Sequence, residues 1–195
     1  MIDYFALLEQ PRRPWLDEAA LKEKFHQLAR TSHPDTQSAR STITSRDFAQ
    51  LSEAFRVLSD PKLRLKHLLQ LERNTPASGE NVLPKDLEAL FPMMNAVMQV
   101  ADDFQKKKTA TTSNALTRSL LKTELLHLQR QIEELREKLS TLHDQTICEL
   151  RKIDNMWETE RSTNLSQLSD IYVRITYLSR WIAQLEEKKL RLSFS

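Results

Sequence analysis

Three consecutive residues of this 195-residue chain stand out as able to do chemistry on a partner: His33, Pro34 and Asp35. A proline ends the helix before it, because the preceding residue is pushed out of the α region, and it sets the direction of the loop that follows. Asp35 then carries a carboxylate free to reach an arginine in a charge-assisted bond. His33 offers two nitrogens that can hydrogen-bond within the loop or across to a partner. Upstream, Lys22, His26 and Arg30 recur every four residues. A helix places them on one face, with Lys24 nearer its flank. Taken alone, the tripeptide is a helix stop with an exposed acid, and the basic stripe an ordinary solvated face. The surrounding elements decide between these readings.

A second group is apolar. Leu90, Phe91, Met93, Met94, Val97 and Met98 surround more of one helix than a single buried stripe requires, and Asp102 and Asp103 follow them. One face must be core, yet methionine also suits an adaptable binding surface. Leu90, Phe91, Met94, Met98 and Asp102 are therefore candidate docking residues. Other constellations carry nothing. His127 and His143 stand sixteen positions apart with no adjacent ligand set, so no metal is expected. Cys148 has no nearby base, and neither a Ser/His/Asp set nor a glycine-rich phosphate loop occurs. No cofactor and no enzymatic activity of its own are expected.

The chain contains one glycine and seven prolines, 39% hydrophobic and 29% charged residues. So little glycine argues against tight hairpins and β-rich folds, whose turns need positive φ. An all-α fold of one to two small domains is the expectation. Twenty-nine basic residues face 27 acidic ones. That balance supplies no global field for nucleic acid, so charge recognition has to be local. No apolar run approaches the roughly 20 residues that span a bilayer, and the first residues lack a signal-peptide pattern. With a single cysteine, the expectation is a reducing, cytoplasmic setting without a membrane partner.

The elements that position these residues follow from periodicity and punctuation. A short amphipathic segment at residues 3–8 ends before the prolines of 10–14. Asp17 can cap a helix carrying Leu21, Phe25 and Leu28, which runs to about Thr31. Residues 36–46 read as a loop. A third helix starts near Asp47, with Phe48, Leu51, Phe55 and Leu58 as its buried stripe. Asp60 and Pro61 restart the chain as cap and first helical residue, and Leu65, Leu68, Leu69 and Leu71 continue it. Residues 75–84 form a linker between residues 1–74 and a C-terminal domain of 85–195. There, 85–104 reads as a helix with Pro92 inside it or at a bend, and 106–114 as a connector. More than forty helical residues then carry the seam Leu121, Leu125, Leu128, Ile132, Leu135, Leu139 and Leu142. Its register slips after Leu142 and resumes at Leu150, Ile153 and Trp157. A turn is expected at Ser162-Thr163-Asn164. The last helix, through Ile171, Ile175, Leu178, Ile182 and Leu185, folds back antiparallel as a helical bundle or coiled-coil hairpin.

Four such elements with His33-Pro34-Asp35 between the second and third resemble a J-domain. Asp3-Tyr4-Phe5-Ala6-Leu7-Leu8 is similar to the opening helix of that family, and Ala54-Phe55-Arg56-Val57-Leu58-Ser59-Asp60-Pro61 to its third-helix exit, with Arg64 three residues on. The resemblance implies a helical hairpin with flanking short helices that docks a DnaK/HscA-type chaperone and stimulates its ATPase. His33, Pro34 and Asp35 would act at that contact, with Lys22, Lys24, His26 and Arg30 beside them. General J-domains carry a basic pair where this chain has His26 and Gln27, a departure that points to a specialised ATPase partner or a weaker encounter.

No zinc-binding cysteine pairs and no Gly/Phe-rich segment follow. Instead the chain resembles the HscB family, J-proteins of iron–sulfur cluster assembly, over most of its length. The stretch Asp60-Pro61-Lys62-Leu63-Arg64-Leu65-Lys66-His67-Leu68-Leu69 carries the likeness, with His67 in a tyrosine's place. The helix begun by Asp86-Leu87-Glu88-Ala89-Leu90-Phe91-Pro92-Met93-Met94 and the closing Gln184-Leu185-Glu186-Glu187-Lys188 carry it too. It implies an IscU-type scaffold as client, docked on Leu90, Phe91, Met94, Met98 and Asp102. Asn95, Ala96, Val97, Met98 and Gln99 replace much of the family's acidity there, and the middle helix is longer. A J-domain adaptor for an unrelated partner therefore stays open, as does a structural coiled-coil protein whose J-like half stimulates no ATPase.

Overall fold

The computed structural model describes residues 2–31, 45–73, 83–110, 115–159 and 161–193. Among them every regular element is a helix: α1 (Tyr4–Leu7), α2 (Glu18–Thr31), α3 (Ser45–Ser59), α4 (Pro61–Arg73), α5 (Lys85–Glu88), α6 (Leu90–Ala110), α7 (Ala115–Asn155) and α8 (Arg161–Ser193). They divide between two compact units. One comprises Met1–Glu80 and Cys148–Tyr172, the other Asn81–Ile147 and Val173–Ser195. Each of the two long helices thus contributes to both.

In the first unit, local chemistry sets the helix ends. Asp3 caps α1 by accepting from the backbone N–H of Phe5 and Ala6 at 3.0 and 3.3 Å. At the other end Gln10 N–H donates to Phe5 O at 2.8 Å and Glu9 N–H to Ala6 O at 3.1 Å. That closure requires a left-handed residue, and Glu9 supplies it with φ of 51° in place of the usual glycine. Asp17 caps α2 as expected, its Oδ1 accepting from Ala20 N–H at 2.8 Å. Asp60 does the same for α4 through Leu63 N–H at 3.0 Å. α2 and α3 meet where Phe25 and Phe55 stack, with ring centroids 4.6 Å apart. Phe48, expected on the buried stripe of α3, is instead 44% exposed, so that stripe begins at Leu51.

Arg64 of α4 is 3% exposed. Its Nε donates to Pro14 O at 2.9 Å and its Nη1 to Leu58 O at 2.6 Å. A single guanidinium thereby satisfies an orphan carbonyl at the end of α3 and anchors the segment leading into α2. The same segment grips the end of α7. Arg13 pairs with Asp154, Trp15 N–H donates to Asp154 Oδ1 at 2.9 Å, and the Trp157 indole donates to Arg12 O at 2.8 Å. Trp157 is buried and sits in the turn that follows α7. The turn lies at residues 156–159, closed by Thr159 N–H on Met156 O. The expected turn residues 162–164 already belong to α8.

In the second unit α6, the first part of α7 and the last part of α8 share one core, built on Leu87, Met94, Phe104, Leu128, Ile132, Leu139, Leu178, Trp181 and Leu185. Lys189 of α8 reaches Glu133 of α7 at 2.5 Å, and hydrogen bonds from Arg136 and Lys189 pull the Glu133 carboxyl down to about 2. Pro92 explains the break between α5 and α6. Its ring clashes with the carbonyl four residues back, on Glu88, and α5 ends there. It then sits in the first turn of α6, where a missing N–H costs nothing. One expectation needs correction. Lys106, Lys107 and Lys108 are helical, because α6 runs on to Ala110. The α7 seam slips after Leu142 as expected, two steps of four carrying it through buried Thr146 to Leu150, and the Thr146 hydroxyl returns to Leu142 O at 2.7 Å.

Candidate functional site

Leu21, buried, and Phe25 and Leu28, half-buried, turn one side of α2 inward. Helical geometry then sends Lys22, His26 and Arg30 to the far side, and all three are exposed. Lys24 sits elsewhere: half-buried on the flank, it is ion-paired with Glu9 at the end of α1. Three of the four basic candidates thus share a face, and the fourth is committed within the fold. His33, Pro34 and Asp35 lie outside the described residues, as does most of the expected loop at 36–46.

Arg64 and His67 are buried ionisable groups of the frame around this face. Burial pushes Arg64 down to about 10, opposed by the through-space influence of Asp60 and Asp154. It therefore stays charged near neutrality. His67 Nε2 accepts the Tyr4 N–H at 3.1 Å, and its ring lies 4.6 Å from that of Tyr4 and stacks 5.8 Å from that of Phe5. Burial lowers its pKa, with Asp3 opposing and Arg12 assisting. A neutral imidazole is what the geometry requires, since a protonated Nε2 cannot accept.

The second group separates by burial. Phe91 is 47% exposed, Leu90 and Met98 are half-buried against the core, and Met94 is 3% exposed. Met94 is consequently a core residue, not part of an open surface, because α6 must fill the space between α7 and α8. Met93 and Val100 are exposed instead. Asp102 is tied to Lys188 and Asp103 to Lys106. Sequence reasoning did not single out Asp154 or Arg151. The signal was present for Asp154, an acid set among the apolar Leu150, Ile153 and Trp157. Among the described residues no cluster of three potential metal ligands occurs, and no helix is long and apolar enough to cross a membrane.

Residues 3–67 match the family model of the DnaJ domain. The fold is similar to the crystal structure of human co-chaperone protein HscB, with a TM-score of 0.59 and 18% identity over 98% of this chain and 84% of that one. Chaperone HscB from Vibrio cholerae is similar over 98% of this chain and 99% of its own, with a TM-score of 0.51 and 16% identity. At these identities the likeness is one of fold. Residues 3–67 thus match the DnaJ domain, within a chain whose fold is similar to that of these two HscB structures.

Proposed function

We propose that this chain is a co-chaperone of a DnaK/HscA-type ATPase, acting in iron–sulfur cluster assembly. The observation that carries the reading is the exposed face of Lys22, His26 and Arg30, which leads into His33-Pro34-Asp35 inside a DnaJ domain. The basic face steers the domain onto an acidic patch, and Asp35 makes the charge-assisted contact that triggers hydrolysis. The domain boundaries that go with this are a J-domain at residues 1–74, a linker at 75–84 and a client-binding domain at 85–195. Asp35→Asn keeps the shape and removes the charge, so single-turnover ATPase stimulation of a DnaK-type chaperone should fall at least about tenfold, or about 1.4 kcal/mol of coupling. Unchanged stimulation would refute the assignment.

The client is an IscU-type scaffold, docked on the flank of α6 where Phe91 is exposed, with the half-buried Leu90 and Met98 beside it; Met93 and Val100, about half a turn away, lie on the opposite flank. One observation favours a different client for the same chaperone. The two acids of this helix are held in ion pairs, leaving a face that is apolar rather than acidic. Calorimetric titration with an IscU-type scaffold separates the two readings.

A further inference from the structure

Between the start of α2, the α3–α4 junction and the end of α7 lies a cavity of about 610 Å³. Several of its donor groups have no acceptor among the described residues. Arg64 commits Nε and Nη1 to carbonyls, and its Nη2 has no partner among the described residues. The Ser59 hydroxyl is buried without a hydrogen-bond partner. Arg151 lies 4.1 Å over the Trp15 ring, and neither it nor Lys22 makes an ion pair among the described residues. Arg64 is the buried cation of the three, Arg151 and Lys22 being exposed, and a buried cation without a carboxylate bonded to it is costly and gains from an anion brought to it.

We propose that this cavity binds a small phosphate monoester, with Arg64, Ser59 and Arg151 donating to the phosphate. The donors come from α3, α4 and α7 and so converge from different directions, which suits a tetrahedral group with three terminal oxygens better than a planar carboxylate. The volume is that of a small-molecule site and exceeds what a free phosphate fills. Trp15 and Pro61 supply an apolar wall for the ester's carbon portion. Two acids share the lining. The Asp17 carboxylate is occupied by Ala20 N–H, and Glu18 lies one helical turn from Lys22. Their charge keeps the affinity in the millimolar range. The site uses residues outside the chaperone-docking face, apart from Lys22, and stands whether or not that docking occurs.

Titration calorimetry of the full chain with glycerol 3-phosphate, at constant ionic strength, should give one site with a Kd of about 1 mM. Arg151→Gln and Ser59→Ala should each weaken it at least about fivefold, with helicity and thermal midpoint showing that both variants fold. Should Arg151→Gln fail to fold, Ser59→Ala carries the test. No binding up to about 20 mM, or wild-type affinity in the folded variants, overturns the site. Acetate binding as tightly as the ester overturns the phosphate assignment. Inorganic phosphate binding equally well overturns the ester and makes free phosphate the occupant.

Discussion

Arg13 and Asp154, 141 positions apart, form a two-point ion pair: Nε donates to Oδ1 at 3.0 Å while Nη2 reaches Oδ2. Asp154 is 5% exposed and takes a third hydrogen bond from Trp15 N–H. A carboxylate so buried is tolerable only because donors surround it. The pair joins the segment that launches α2 to the last turn of α7, and the DnaJ domain owes part of its framing to a residue far outside it.

Asp154→Ala leaves the Arg13 guanidinium and the Trp15 N–H without their acceptor. The loss should be about 3 kcal/mol, read as a lowered denaturation midpoint of the full chain. Asp154→Asn keeps one acceptor oxygen and should lose less. A wild-type midpoint in the alanine variant would mean that the clamp contributes nothing.

Stability should fall on acidification because of His67. Its pKa in the folded chain lies below the ordinary 6.5, with burial as the leading cause. Above 6.5 both folded and unfolded chains carry the neutral ring, and the full stability is present. As pH drops from 6.5 towards the folded value, the unfolded chain binds a proton that the folded one refuses, so stability declines. His67→Gln retains an acceptor for Tyr4 N–H without titrating. Urea midpoints at pH 7.5 and 5.5 should differ less in that variant than in the wild type, and equal differences would exclude His67 as the cause.

Among the basic residues of α2, position should decide effect. Lys22→Glu with Arg30→Glu should slow association with a DnaK-type ATPase, and the slowing should shrink as salt rises. Lys24→Ala should alter association much less, because its ammonium is already held by Glu9. Stopped-flow association rates at two salt concentrations provide the comparison. Equal rates for the double reversal and the wild type at low salt would reduce this face to solvated surface.

On α6, exposure predicts which residues hold the bundle and which are available to a client. Met94→Ala should cost about 2–5 kcal/mol through lost burial and a cavity. Phe91→Ala should leave stability within about 1 kcal/mol, a loss confined to its contact with Trp181, whose centroid is 6.4 Å away. Affinity for an IscU-type scaffold should fall with Phe91→Ala and, for Met94→Ala, track only the folded fraction. The reverse pattern would move the docking surface off this helix.

Within residues 3–31 and 45–73 the helices were legible because their signals are local. Asp17 and Asp60 cap the helices they precede, Pro61 opens the next helix, and Leu21, Leu51 and Leu58 recur at helical spacing. The Leu128, Ile132, Leu135 and Leu139 seam was equally readable, since a heptad pattern already implies a facing helix. Thr146 was not, because a threonine looks like a break in the seam until its hydroxyl is seen turned back onto Leu142 O.

What tertiary structure alone decided is which of several equivalent side chains ended where. Lys22 and Lys24 are the same residue type two positions apart, yet only the end of α1, carrying Glu9, makes one of them an internal ion pair. α6 is apolar around most of its circumference, so its periodicity names no inner face. α7 and α8 choose Met94 and Phe104 for the core and leave Phe91 and Val100 outside. Asp154 reads as an interruption of an apolar stripe because its partner lies at the opposite end of the chain. Helix formation depends on neighbours within about four residues, whereas burial and charge pairing depend on whatever the fold brings near.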